Sequence, residues 1–151
     1  MKRVTIGGLA LALALVGAQA ARAGESAQEQ ANKKAVIAFY DAALNRLDYD
    51  AAAQFLGAGY KQHNPTAADG KEGLKGFIAF LKANFPQTHS EITASFADGD
   101  YVILRVHAVR TPGTLGNAIV DIFRLEKGKV VEHWDSVQPI PDKPANANTM
   151  F

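Results

Sequence analysis

Four segments in the second half of the chain, Glu91 to Phe96, Tyr101 to Arg110, Asn117 to Glu126 and Val130 to Gln138, alternate apolar with polar residues and are rich in Val, Ile and aromatics. Little but turn residues separates them: Asp98-Gly99, Pro112-Gly113 and Lys127-Gly128. Connections this short force each strand to pair antiparallel with the next. The half before them has a different period. Val36, Phe39, Tyr40, Ala43 and Leu47 recur at helical spacing and predict a long amphipathic first helix. Asp48 caps a short second helix expected to run through Ala51 to Leu56 and to end at Gly57 and Gly59. Tyr60 to Pro65, YKQHNP, reads as a brief strand. Asp69 with Glu72 gives a capping-box signal for a third helix, carried by Leu74, Phe77, Ile78 and Leu81 and stopping before Pro86. Helices first and a meander of strands afterwards make an α+β domain, with the helices packed on one face of a curved sheet.

The chain of 151 residues has a formal net charge of +1 and no basic run, which excludes a nucleic-acid partner and fits one ordinary globular domain. Lys2-Arg3 precede the apolar run Val4 to Val16, and Ala18-Gln19-Ala20 and Ala21-Arg22-Ala23 both fit a cleavage pattern. Residues 1–23 are therefore expected to be a signal peptide, with an uncleaved anchor as the alternative. The mature domain, 24–151, is then expected in the periplasm or secreted, with no stable membrane insertion after processing. With no cysteine in the chain, the domain depends on its core.

The last hairpin decides which polar side chains meet. A two-residue turn at Lys127-Gly128 requires positive φ at both positions, which a lysine resists. A three-residue loop with Gly128 as the left-handed bulge is the expected solution. It pairs Leu125 with Lys129, Asp121 with His133 and Ile119 with Asp135. The two-residue turn would shift parity, set Asp121 beside Trp134 and send Asp135 to the other face. On the expected register Asp121, His133 and Asp135 share a face with Ile119, Phe123, Leu125, Val131 and Val137. Carboxylates in apolar company acquire proton affinities useful for proton transfer. The same face could instead open to water, or Asp121 and His133 could merely satisfy each other.

The stretches YKQHNP, DGKEGLKGF and AIVDIFRLEKGKVVEHWDSVQPIP resemble the SnoaL-like polyketide cyclase group within the nuclear transport factor 2-like superfamily, over most of the chain from about Lys33 to Pro141. The resemblance implies three helices packed on a strongly curved antiparallel sheet, forming a cone with one pocket. In the cyclases an aspartate on the last strand is the acid/base of an aldol closure, a position matched here by Asp135. A histidine on the preceding strand accompanies it, and Asp121 stands in its place, a departure that puts the polyketide reaction itself in doubt. Export also argues against a cytoplasmic biosynthetic substrate.

The expected function is cofactor-independent acid/base chemistry on a small apolar carbonyl compound, of the aldol-cyclase or isomerase type. A non-catalytic domain binding an apolar ligand or a partner is the alternative. Asp135, Asp121 and His63 are the expected catalytic residues. Asn64, His107, His133, Tyr40 and Phe123 are the expected substrate contacts. No metal site is assigned, although an inward His107 would let His63, His107 and Asp121 form one. Trp134, Val120 and Ile122 make an outer face apolar enough to expect a homodimer.

Overall fold

The computed structural model describes residues 24–151, so the expected signal peptide lies outside the described residues. Helix α1, Ala27–Tyr40, opens with a reciprocal capping box between Ser26 and Glu29. It continues into a five-residue π-helical turn, Asp41–Asn45, and α2, Tyr49–Ala53, follows behind an Asp48 cap that accepts from Ala51 N. Strand β1 is Leu56–Gln62, and α3 is Gly70–Asn84. Asp69 caps α3 as expected, but its Oδ1 accepts from Gly70 N and Gln62 N at 2.8 Å each. It thereby ties the helix start to β1, where a capping box with Glu72 was expected. Strands β2 to β5 are His89–Asp98, Tyr101–Val109, Asn117–Glu126 and Lys129–Pro139, close to the segments the alternation marks.

The sheet order is β1-β5-β4-β3-β2. The last four strands form the expected antiparallel meander, and β1 adds to the β5 edge in parallel, so the sheet is mixed. Alternate residues Val102, Leu104, Val106 and Ala108 of β3 face inward and are buried with Phe39, Tyr40, Leu74, Ile78 and Leu81 of the helices. No helix among the described residues is long and apolar enough to cross a membrane.

The β4–β5 hairpin differs from its expected register. Glu126 pairs with Lys129, so the turn has two residues, with Lys127 at φ 49° and Gly128 at φ 73°. That turn alone would separate Asp121 from Asp135. A bulge restores the parity: Leu125 pairs with Val130 and Arg124 with Glu132, leaving Val131 as the extra residue. Val130 and Val131 are consequently both buried, although adjacent in a strand. Phe123 then faces His133, and Asp121 faces Asp135 directly. A second register shift falls between Ile92 and Ala94 of β2, and such shifts bend a sheet around its core.

Gly57 belongs to this device. A Cβ at that position would lie 2.6 Å from Val131 Cγ1 and 3.5 Å from Val130 O, so the bulged valine occupies the space that a side chain there would fill. Gly57 is therefore a packing position within β1, and the expected end of the second helix at Gly57 and Gly59 is corrected: α2 stops at Ala53. Gly57→Ala is expected to lower stability by about 1–3 kcal/mol through overpacking, read as a loss in chemical-denaturation midpoint. An unchanged midpoint would show that Val131 does not depend on that space.

Candidate active site

Asp121 and His133 lie at the base of a cavity of about 520 Å³, within the range of small-molecule sites. Tyr40 of α1, Ala43 and Leu44 of the π-helical turn, Gln62 of β1, Asn64 of the following loop and Phe77 of α3 line it from the helical side. Ile119, Asp121, Phe123, His133, Asp135 and Val137 line it from the sheet. Phe123 supports the floor, stacked on His133 with ring centroids 4.7 Å apart and edge-on to Phe39 and Tyr40. Asp121 and Asp135 thus open into one pocket rather than onto a water-exposed flank.

The hydrogen bonds fix the protons. Backbone N–H of Asn64 donates to Gln62 Oε1 at 2.9 Å, which orients the Gln62 amide and leaves its Nε2 to donate to the Tyr60 hydroxyl at 3.2 Å. Gln62 Oε1 also meets His133 Nδ1 at 3.0 Å, so that nitrogen carries hydrogen. His133 Nε2 faces Asp121 Oδ1 at 2.9 Å. With Nδ1 already protonated, this second contact holds one proton between the two groups, as imidazolium with carboxylate or as imidazole with carboxylic acid. The pair is neutral either way.

Asp121 is 4 % exposed, and its Oδ2, though buried, has no hydrogen-bond partner among the described residues. Burial pushes its proton affinity up, opposed by the hydrogen bond and charge of His133, and the charge of Asp135 pushes it further. The Tyr40 phenol is pushed well above its usual range, first by burial and then by Asp121, so it stays a protonated donor. Tyr60 is raised in the same way, by burial first and then by the charges of Asp121 and Asp135.

Asn64 Nδ2 donates to both Asp135 oxygens, at 2.7 and 2.8 Å. Its Oδ1 accepts from Thr66 N and Thr66 Oγ1, an Asx-type turn that locks the amide with nitrogen toward the carboxylate. Asp135 is half-buried, so one of its flanks remains on the cavity.

Six of the eight expected residues converge on this site: Asp121, His133, Asp135, Asn64 and Tyr40, with Phe123 beneath them. Two do not. His63 is exposed on the outer side, its ring stacked on Trp134 at 4.5 Å and 4°. Adjacent strand residues point to opposite faces, so Gln62 and Asn64 turned inward exclude His63. His107 lies between the inward Val106 and Ala108, and its Nε2 is 2.8 Å from Leu115 O. The combination of His63, His107 and Asp121 as metal ligands is therefore not assembled. Donor atoms of Asp121, His133 and Asp135 do lie within 4.8 Å of one another and could hold a cation. A cation there would compete with the hydrogen bonds that occupy both His133 nitrogens.

Gln62 and Arg110 were not among the expected site residues. Gln62 could have been found from its inward parity with Tyr60. Arg110 continues the inward series Val102, Leu104, Val106 and Ala108, where a charge is out of place.

Among solved structures, a protein proposed to be a polyketide cyclase from Bacillus cereus superposes with a TM-score of 0.64 at 22% identity, covering 75% of this chain and 78% of that one. A proposed SnoaL-like polyketide cyclase from Jannaschia sp. gives 0.62 at 20%, covering 75% and 89%. TsrD from Streptomyces laurentii gives 0.60 at 20%, covering 72% and 88%. At these identities the likeness shows the shared fold. No curated protein matches the sequence. The SnoaL-like domain family matches residues 36–133, from the first helix to the histidine of the pocket floor, and the chain belongs to that family.

Proposed function

We propose that the pocket performs acid/base chemistry on a small apolar carbonyl compound, with Asp135 as base and the Asp121–His133 pair as acid. The observation that carries this reading is that the buried Asp121 carboxyl, bonded to His133, and Asp135 line the same cavity. Environments that drive two carboxyl groups apart in proton affinity separate acid from base.

Asp135, steadied by Asn64, would take a proton from the carbon beside a ketone. The bond left behind becomes an enolate, whose oxygen is met by donors already in place: the Tyr40 hydroxyl and the proton shared by Asp121 and His133. Returning a proton to carbon gives an isomerase, and adding the enolate carbon to a second carbonyl of the same molecule gives an aldol closure. Neither route uses a group beyond these side chains. Asp121, in the position matched by a histidine in the cyclases, retains a proton donor through its contact with His133.

The test is solvent-deuterium incorporation at the α-carbon of 2-tetralone, a compact apolar ketone, followed by ¹H NMR in D2O. The expected result is incorporation at least tenfold above the buffer rate. Saturable binding of the ketone with incorporation at the buffer rate would favour the non-catalytic ligand-binding alternative.

A further inference from the structure

We propose that Arg110 is an anion anchor at the far end of the pocket from the carboxylates, and that the molecule this site takes is an apolar carbonyl compound carrying a carboxylate. The proposal deepens the acid/base reading above and rests on it for the identity of the carbonyl end.

Arg110 lines the cavity and is half-buried, yet it donates no hydrogen bond and makes no ion pair to any of the described residues. Its only contact of note is with the face of Phe77, 5.3 Å from guanidinium carbon to ring centroid. Of the other half-buried cations, Arg124 sits between Glu126 and Glu132 and Lys33 on Glu25, while Lys71 of α3 has no ion pair but lies outside the cavity lining. A partly desolvated cation without an acid beside it is costly unless a ligand completes it. Consistent with this, burial lowers its proton affinity and no carboxylate raises it back. Guanidinium binds carboxylate through two parallel hydrogen bonds, and a flat apolar ring such as Phe77 holds the guanidinium plane without competing for its donors.

The placement gives the ligand a direction. Leu104 on β3 is the partner of Asp121, and Arg110 follows the end of that strand at Val109. Its side chain lies over Phe77 and lines the cavity. Asp135 repels an anion and Arg110 attracts one, so the carbonyl is directed to the base and the carboxylate to the guanidinium. The walls between them are apolar, with Ala43, Leu44, Leu74 and Ile119 among them.

The test uses the ω-benzoyl alkanoates, C6H5–CO–(CH2)n–COO⁻, each beside its methyl ester, with affinity measured by calorimetry on the full domain. The acid at the best chain length is expected to bind at least tenfold more tightly than its ester. In Arg110→Met, which keeps the length and packing over Phe77, that ratio falls to about one. In Arg110→Lys it is reduced but stays above one. An ester equal to its acid, a ratio unchanged in Arg110→Met, or no binding of any member overturns the proposal. These readouts are affinities, so failure of the anchor is distinguishable from failure of the acid/base reading, which the 2-tetralone exchange reports separately.

Discussion

Asp135→Asn is expected to slow deuterium incorporation into 2-tetralone by about 10²–10⁴-fold, the usual contribution of a positioned general base. Asparagine keeps the shape, and its side-chain oxygen still accepts from Asn64 Nδ2, which now donates to both carboxylate oxygens. Folding should therefore be preserved, with a melting temperature within a few degrees of the parent. The proton acceptor is lost while the pocket, the Tyr40 hydroxyl and the Asp121–His133 pair remain. Incorporation within a factor of three of the parent rate would remove Asp135 from the role of base. Asp135→Glu retains a carboxylate but moves it by one methylene, and it should fall between the two because proton transfer depends on position as well as chemistry.

Asp121→Asn is expected to melt progressively higher than the parent as pH rises from 4 to 8. Burial raises the folded-state affinity of Asp121 for its proton above that of the unfolded chain. The stability linked to that proton is fully present below the unfolded carboxylate range, near pH 4, and is lost as pH rises through the folded value. Asparagine has no such proton to lose. Its amide can offer N–H to His133 Nε2, as the protonated acid does, so the floor of the pocket stays hydrogen-bonded. The groups facing Asp121 are Tyr40 from α1 and His133 and Asp135 from β5, all retained in the variant. The gain should be largest at pH 8, read as the difference in melting temperature between the variant and the parent across the range. A melting difference that is flat across the range, or that favours the parent at high pH, contradicts the assignment. The same substitution should slow exchange, because the shared proton that meets the enolate oxygen is gone.

The sequence reading and the structure agree most closely where a local pattern is enough. Leu74, Ile78 and Leu81 repeat at helical spacing behind an aspartate cap and stop at a proline, and α3 follows them closely. β3 and β4 show their burial as strict alternation. The inward set Asp121, His133 and Asp135 was also legible, although the register proposed for it was not the one found. A two-residue turn sets positive φ at Lys127, which a lysine resists. Lys127 adopts φ 49° nonetheless, at a backbone cost of about 1–2 kcal/mol, and the bulge at Val131 returns the parity that such a turn removes.

That bulge has little local signature, because its cause lies across the sheet in the missing side chain of Gly57. In sequence the same glycine suits the end of a helix equally well, because glycine near a short amphipathic stretch fits either role. His63 failed for a simpler reason: it and Asn64 were placed in one site although neighbours in an extended chain point apart. Arg110 continues the inward parity of its strand, but a charge at a strand end is ordinarily turned to water, so the pattern alone does not mark it. Its isolation from any acid is a fact of three dimensions.

Central to all of this is a base that approaches its substrate from one side of a closed floor. The most direct measurement is therefore the stereochemistry of deuterium incorporation at C1 of 2-tetralone, early in the reaction and before buffer exchange accumulates. Removal of one of the two C1 hydrogens, with mono-deuterated product accumulating in one configuration, is the predicted result. Incorporation at the buffer rate, or equal loss of both hydrogens in the enzyme-dependent phase, would contradict the account.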